Sequence, residues 1–421
     1  MTTDSASNHY AAPVLPTQRV QTIDVLRGFA LLGILLVNME LFTNSVYAMV
    51  NGMLPIDSRA DQWARWFISF AAEGKFYSTF SFLFGLGMAI QYARAQEREV
   101  PFVPVWLRRM GILLVIGTLH AYLIWVGDIL MLYAVLGVVL LIFFRNRKPR
   151  TLLIWTVIFL IIPLLINAGL WGLIELARMA PEGAEMIDAV FAEQELVVLA
   201  QMAQADVAYA TGNFLEITAQ RVRDMNFMYT TIPFLGFNVL AMFTLGLYAG
   251  KRRIFFAIEE NLPLIRRVLA WGLIVGVLGN GLYVVMIEDM SRSQLSGQLV
   301  LAVLGQTIGA PALALAYMSG LTLFFRTGAG RRLLSPLSFV GRMALTNYLL
   351  QSIICTLIFY NYGLGLYGTV GAAAGLGLAL VIYLLQIPWS MWWLGRYRFG
   401  PMEWLWRWLT YGKRPAMQKA G

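Results

Sequence analysis

The sequence predicts an all-α fold: a polytopic transmembrane helix bundle of about ten helices with an amphipathic helical extracytoplasmic insertion. Three observations carry that prediction. The 421-residue chain is 59% hydrophobic and 13% charged, with a mean hydropathy of +0.66, whereas soluble domains carry about twice that charge. Apolar runs of spanning length, about 20 residues, follow one another from Asp24 almost to the C-terminus. Basic residues gather in every second connection between those runs, the alternation that positive-inside topology requires. The runs are too long and too weakly alternating for barrel strands, and a helix satisfies its own backbone in hydrocarbon.

The expected spans are 25–46, 65–91, 109–126, 128–144, 152–177, 228–250, 266–287, 299–325, 336–360 and 368–394. Arg94, Arg98, Arg108 and Arg109 follow the second, and Arg145, Arg147, Lys148 and Arg150 the fourth. Lys251, Arg252 and Arg253 follow the sixth, Arg326, Arg331 and Arg332 the eighth, and Arg396, Arg398, Arg407, Lys413 and Arg414 the tenth. Both termini are therefore expected on the cytoplasmic side. Of the other connections, the third, Val126-Gly127-Asp128, and the ninth, a Gly/Tyr turn from Asn361 to Tyr367, read as tight hairpins, and the exception is one acidic segment after the fifth span.

This divides the chain into a polar disordered cytoplasmic tail (1–23), an N-terminal transmembrane bundle (24–177), an acidic amphipathic extracytoplasmic insertion (178–225), a C-terminal transmembrane bundle (226–395) and a basic cytoplasmic tail (396–421). The first residues lack an apolar h-region, so the first span is expected to act as an uncleaved membrane signal. The insertion holds eight acidic residues, and its apolar spacing at Ile187, Val190, Phe191 and Val198 suggests helices lying on the outer surface. The net charge of +9 is dispersed beside the spans, which argues against nucleic acid as a partner. The partners expected instead are the lipid bilayer and a small-molecule or lipid substrate, with a homo-oligomer compatible. Cys355 is the lone cysteine, and His120 is the one histidine outside the N-terminal tail, so no disulfide and no metal site is expected.

Ionisable residues inside spans are costly and face the bundle interior or water, so they are the candidate site. The first span carries Asp24, Arg27 and Asn38; Arg27 and Asn38 share a helix face about 16 Å apart. Arg27 either snorkels to the interface beside Asp24 or faces an anionic donor such as a phosphate. Glu73 and Lys75 point to different sides of a regular helix, so each needs its own partner. His120, Tyr133 and Glu73 fall at similar depth, with Asp128 nearer the surface unless its tight turn dips inward. A histidine beside a carboxylate can serve as general base; the alternative is a histidine merely bonded to a neighbouring helix. In the ninth span, Arg342 stacks over Thr346 and Asn347 over Gln351, two pairs on different faces, with interhelical hydrogen bonding the default for Asn347 and Gln351.

Several motifs resemble those of the YeiB-like bacterial membrane proteins: Ile23-Asp24-Val25-Leu26-Arg27-Gly28-Phe29-Ala30, Val37-Asn38, Phe82-Leu83-Phe84-Gly85, Leu119-His120 with Gly127-Asp128-Ile129-Leu130, Gly341-Arg342-Met343-Ala344-Leu345-Thr346-Asn347-Tyr348, and Gly400-Pro401-Met402-Glu403-Trp404. The likeness covers essentially the whole chain after the N-terminal tail and implies the bacterial cytoplasmic (inner) membrane. The Asp24-Val25-Leu26-Arg27-Gly28 opening is also similar to that of transmembrane acyltransferases, including heparan-α-glucosaminide N-acetyltransferase and the acyltransferase-3 group. That likeness implies acyl coenzyme A as co-substrate and transfer to an acceptor at or across the membrane. Acyltransferase-3 proteins carry a histidine where this chain has Asn38, which leaves His120 to supply the base. The expected catalytic set is His120 with Glu73 or Asp128, and the substrate-binding set is Asp24, Arg27, Asn38, Lys75, Tyr133, Arg342, Asn347 and Gln351. The alternative is a transporter or flippase of a small amphiphilic or anionic substrate using the same charges.

Overall fold

The computed structural model describes residues 20–287 and 295–419; most of the expected N-terminal tail, with His9, lies outside the described residues. Among the described residues the regular elements are helices, α1 to α15, joined by short turns. Seven are long and apolar enough to cross a membrane, and an eighth span arises if the bent pair α12 (Gly328–Arg342) and α13 (Ala344–Phe359) is one. The chain is thus an all-α membrane protein. The two remaining expected spans correspond to α4 (Lys75–Glu97), with the elements before it, and to α6 (Leu130–Val139), whose apolar helix continues to Phe144.

α1 (Gln21–Thr43) is the hub, and glycine sets how closely its neighbours approach. A Cβ on Gly28 would overlap the Leu337 carbonyl of α12, and one on Gly341 would overlap the Asp24 carbonyl of α1. The same device joins α4 to α9 (Phe214–Lys251) at Gly85 and Gly246, and α10 (Leu262–Ile287) to α11 (Gly297–Phe325) at Gly279, Gly305 and Gly309. In lipid, where apolar side chains gain nothing by leaving the solvent, such backbone approach supplies the packing attraction.

Four expected spans are irregular, the fourth only in ending on a π-helical turn over Leu140–Phe144. The second is α3 (Arg59–Phe67), a π-helical turn over Ile68–Ala72, and then α4 after a break at Glu73-Gly74, where Gly74 takes φ +85°. The third is α5 (Phe102–Leu119) ending in a π-helical turn over His120–Ile124. The ninth bends by 79° at Met343 between α12 and α13. Propensity alone marks none of these breaks except at Gly74, because the flanking residues are good apolar helix formers.

The acidic segment is helical but continuous with the bundle. α7 (Pro149–Arg178) has 30 residues, α8 (Pro181–Thr211) has 31 and α9 has 38. At 1.5 Å per residue α9 is about 57 Å long, far more than a hydrocarbon core of about 30 Å. The expected boundary at 225 therefore falls inside one unbroken helix, because Asn213 and Glu216 form a capping box that starts α9 well before its apolar part, Pro233–Lys251. Arg221 and Asp224, both fully buried, tie this end together. Arg221 donates to the Leu123 carbonyl (2.9 Å) and the Tyr362 hydroxyl (3.0 Å), and Asp224 accepts from Tyr209 (2.5 Å) and Gln220 (2.8 Å).

Candidate functional site

A cavity of about 370 Å³ opens between α1, α4, α5, α6, α12, α13 and the terminal helix α15 (Pro401–Tyr411), at the end of the bundle that carries the basic connections. Its lining changes character along the helices: on α1 Arg27 precedes Leu31 and Ile34, on α4 Phe80 and Phe84 precede Arg94, and on α5 Arg109 precedes Leu113. Arg27, Arg94, Arg98, Arg109, Arg342 and Arg407 surround the mouth with Asp24 and Glu403, an excess of four positive charges. Leu31, Ile34, Phe80, Phe84, Leu113 and Leu130 line the interior, with Tyr133 and Tyr348 as its polar atoms. A basic rim over an apolar interior suits an amphiphile with an anionic head.

Each wall holds its arginines by a local device. Arg27 donates to Asp24 (3.1 Å) one turn before it and remains about one-third exposed. Arg109 lies over the Trp406 ring at 3.6 Å, and the Trp406 indole donates to the Arg109 carbonyl (3.0 Å), which docks α15 on α5. Arg342 ends α12 at the bend. The bend leaves the first N–H groups of α13 without helical acceptors, and Glu403 takes them: Oε1 accepts from Leu345 (2.7 Å) and Thr346 (3.1 Å), and Oε2 from the Thr346 hydroxyl (2.6 Å). Burial raises the Glu403 carboxyl above the usual range, and the Thr346 and Leu345 hydrogen bonds counter this in part.

At the inner end, Tyr348 brings the cavity against a buried histidine. The His120 and Tyr348 ring centroids are 5.2 Å apart. His120 Nδ1 lies 2.8 Å from Asp128 Oδ2, and Asp128 Oδ1 accepts the Met131 backbone N–H (2.8 Å) at the start of α6. The turn does dip inward, so that both side chains are buried, at 1% and 0% exposure. The π-helical turn makes this geometry: its wide hydrogen bond, Trp125 N–H to the His120 carbonyl (2.8 Å), ends the helix and sends the chain straight back. Gly127 accommodates the Trp125 ring, which a Cβ there would overlap. Tyr348 donates to the Gly127 carbonyl (3.1 Å) and fixes the turn to α13. Asn38 follows Ile34 by one turn and precedes Phe42 by one turn on the same face of α1, and Phe42 stacks on Trp125 at 4.1 Å. The face that starts at Arg27 in the mouth thus leads to the histidine.

The other expected site residues divide. Tyr133 lines the cavity, its hydroxyl bonded to Ser81 (2.7 Å) and the Tyr77 carbonyl (3.1 Å). Glu73 lies elsewhere, accepting from Tyr283 (2.6 Å) and Gln306 (3.2 Å) of α10 and α11, so the carboxylate on His120 is Asp128. Lys75 is fully buried and donates to the Ser69 carbonyl (2.7 Å), one of those released by the break before α4. Asn347 donates to Ser390 (3.0 Å) and the Val340 carbonyl (3.2 Å), and Gln351 to Gln386 (2.8 Å). Those two join α13 to α14 (Ala372–Arg396) and lie outside the cavity lining.

A family model described as "Protein of unknown function (DUF418)" matches residues 249–413. Across 424 aligned residues the chain is 36% identical to the uncharacterized protein YxaH of Bacillus subtilis, covering 95% of this chain and 96% of the relative. The chain belongs to the YeiB-like DUF418 family. The uncharacterized protein YeiB of Escherichia coli is 28% identical over 96% of this chain and 99% of its own length. A 39.9 kDa uncharacterized protein from the amylase 3' region of Bacillus acidopullulyticus is also 28% identical, over 96% of each chain.

In this DUF418 chain the matched segment supplies Arg342, Tyr348, Glu403, Trp406 and Arg407, one wall of the cavity; Arg27, Arg94, Arg98 and Arg109 come from the chain before it. Sequence reasoning assigned Arg94, Arg98, Arg109 and Arg407 to topology alone. The signal that could have found them is their company: each lies near aromatic or acidic residues (Phe102, Trp106, Phe399, Glu403) beyond what a positive-inside loop needs. Trp125, Tyr348 and Glu403 lie within or beside the family motifs, where the sequence alone gives them no role of their own.

Proposed function

We propose that this protein is a membrane acyltransferase that accepts its donor, an acyl coenzyme A, through the arginine-rimmed cavity, with the basic end of the bundle facing the cytoplasm. The observation that carries this reading is the graded lining of the cavity, from six arginines at the mouth to an apolar interior ending at Tyr348 beside the His120–Asp128 pair. The diphosphate and ribose phosphate of the donor carry about four negative charges at neutral pH, which matches the excess charge of the rim. Asp128 holds His120 with Nδ1 protonated and Nε2 free to take a proton. His120 removes the proton of an acceptor hydroxyl or amine as it attacks the thioester carbonyl; the C–S bond breaks and the thiol leaves with that proton. Tyr133 borders the path along which the acyl group reaches the histidine, whereas Asn38, on the same face of α1 as Arg27, lies outside the cavity lining.

The break at Glu73-Gly74 favours a second reading, transport of an anionic amphiphile, since discontinuous spans with buried charges are common at transport sites. One experiment separates them. Proteoliposomes are given radiolabelled acetyl coenzyme A and a panel of acceptors, and products are compared for wild type and His120→Ala. Covalent transfer that falls at least about 100-fold in the variant supports acyl transfer. Donor or acceptor flux without covalent change, equal in both proteins, supports transport and removes acyl transfer.

A further inference from the structure

Two buried polar atoms at the histidine turn have no hydrogen-bond partner among the described residues: His120 Nε2 and Trp125 Nε1. Their side chains are 1% and 0% exposed, and the residues are linked by the wide hydrogen bond that closes the π-helical turn. The ring centroids are 6.2 Å apart and nearly perpendicular, at 68°. A buried polar atom left unsatisfied is costly, and such groups in a native fold call for an explanation.

Their chemistry is complementary. Asp128 has one oxygen on the Met131 N–H and the other on His120 Nδ1, so Nδ1 carries the hydrogen and Nε2 presents a lone pair. The Trp125 indole can only donate. One acceptor and one donor are therefore buried on rings whose centroids are 6.2 Å apart. An oxygen making two hydrogen bonds of about 2.9 Å can bridge nitrogens up to about 6 Å apart.

We propose that His120 Nε2 and the Trp125 indole N–H together form a hydroxyl-binding site, and that the acyl acceptor is an alcohol. A hydroxyl gives its hydrogen to Nε2 and accepts from the indole with an oxygen lone pair. An aliphatic amine is protonated at neutral pH and offers donors only, so it leaves the indole unsatisfied. The same two contacts orient the attacking oxygen: the bond to Nε2 sets its proton for removal, and the indole fixes where its remaining lone pair points. Phe42, stacked on the Trp125 ring at 4.1 Å, and Gly127 beneath it hold the indole in place. The acceptor role rests on the acyl-transfer reading; the hydroxyl site itself does not.

The test has two arms. Density maps of wild type and Trp125→Phe in lipid nanodiscs, at a resolution that shows ordered water, should show in wild type an oxygen within about 3.2 Å of both nitrogens. The variant should lose that oxygen while keeping the His120–Asp128 contact. An oxygen that is missing in wild type, touches one nitrogen only, or persists unchanged in the variant overturns the proposal. In the acetyl coenzyme A transfer assay, Trp125→Phe should raise the acceptor KM about 10-fold with the donor KM unchanged; an unchanged acceptor KM, or amines used as well as their alcohol counterparts, overturns it. Failure of wild type to bind the donor, with the bridging oxygen present, would remove acyl transfer and leave the hydroxyl site standing.

Discussion

Asp224 offers a prediction whose size follows from its surroundings. It lies on α9 before the apolar part that begins at Pro233, fully buried, and accepts from Tyr209, Gln220 and Tyr47, side chains of α8, α9 and α2 (Val46–Asn51). Burial raises its carboxyl from 3.8 to about 6, against the pull of those hydrogen bonds and Arg221. The folded state therefore holds the proton more tightly than the unfolded chain, so stability is fully present below the ordinary value and is lost as pH rises through about 6. At about 1.4 kcal/mol per pH unit the whole window is worth about 3 kcal/mol. Asp224→Asn removes the titration while keeping an oxygen acceptor. Thermal unfolding in nanodiscs from pH 4 to pH 7.5 should show the variant gaining about 2–3 kcal/mol on wild type as pH rises. Asp206, also raised by burial, is common to both proteins and cancels in the comparison. Parallel stability curves, or a variant that loses ground with rising pH, would refute the reasoning.

Three further perturbations address the cavity and the histidine. Asp128→Asn should lower acyl transfer by about 100-fold or more with donor affinity unchanged, because an amide facing Nδ1 favours the wrong tautomer; the split between kcat and donor KM is the check. Gly341→Ala places a methyl group against the Asp24 carbonyl and should cost about 1–3 kcal/mol, seen as a lower Tm, and weaken donor binding as Arg342 moves. Glu403→Gln leaves one acceptor oxygen for three donors at the start of α13, so amide hydrogen exchange in α13 and α15 should accelerate by about 5-fold or more while the acidic end is unaffected.

The sequence made the fold class legible because membrane solvation writes its demands into every span: length, apolarity and basic flanks. It left the breaks hidden. The π-helical turn at His120 and the bend at Met343 arise with the Trp125 fold-back, five residues on, and the Glu403 cap, sixty residues on, neither of which apolar periodicity reveals. His120 and Asp128 could be paired as candidates because one tight hairpin joins them, although spacing alone puts Asp128 nearer the surface. Glu73 matches His120 in depth by residue count but faces α10 and α11, and depth along a helix says nothing about which neighbour it meets. The rim arginines were visible as charges, yet their convergence required the bundle order, since Arg27, Arg109, Arg342 and Arg407 come from four separate helices.

The central claim is that the basic cavity binds an anionic acyl donor. Calorimetric titration of the purified protein with acetyl and longer-chain acyl coenzyme A, for wild type, Arg27→Ala and Arg342→Ala, tests it most directly. Saturable binding that weakens about 10- to 100-fold in each variant, and weakens further with added salt, is the predicted result. Absence of binding across those donors, or affinity unchanged by both substitutions, would contradict it.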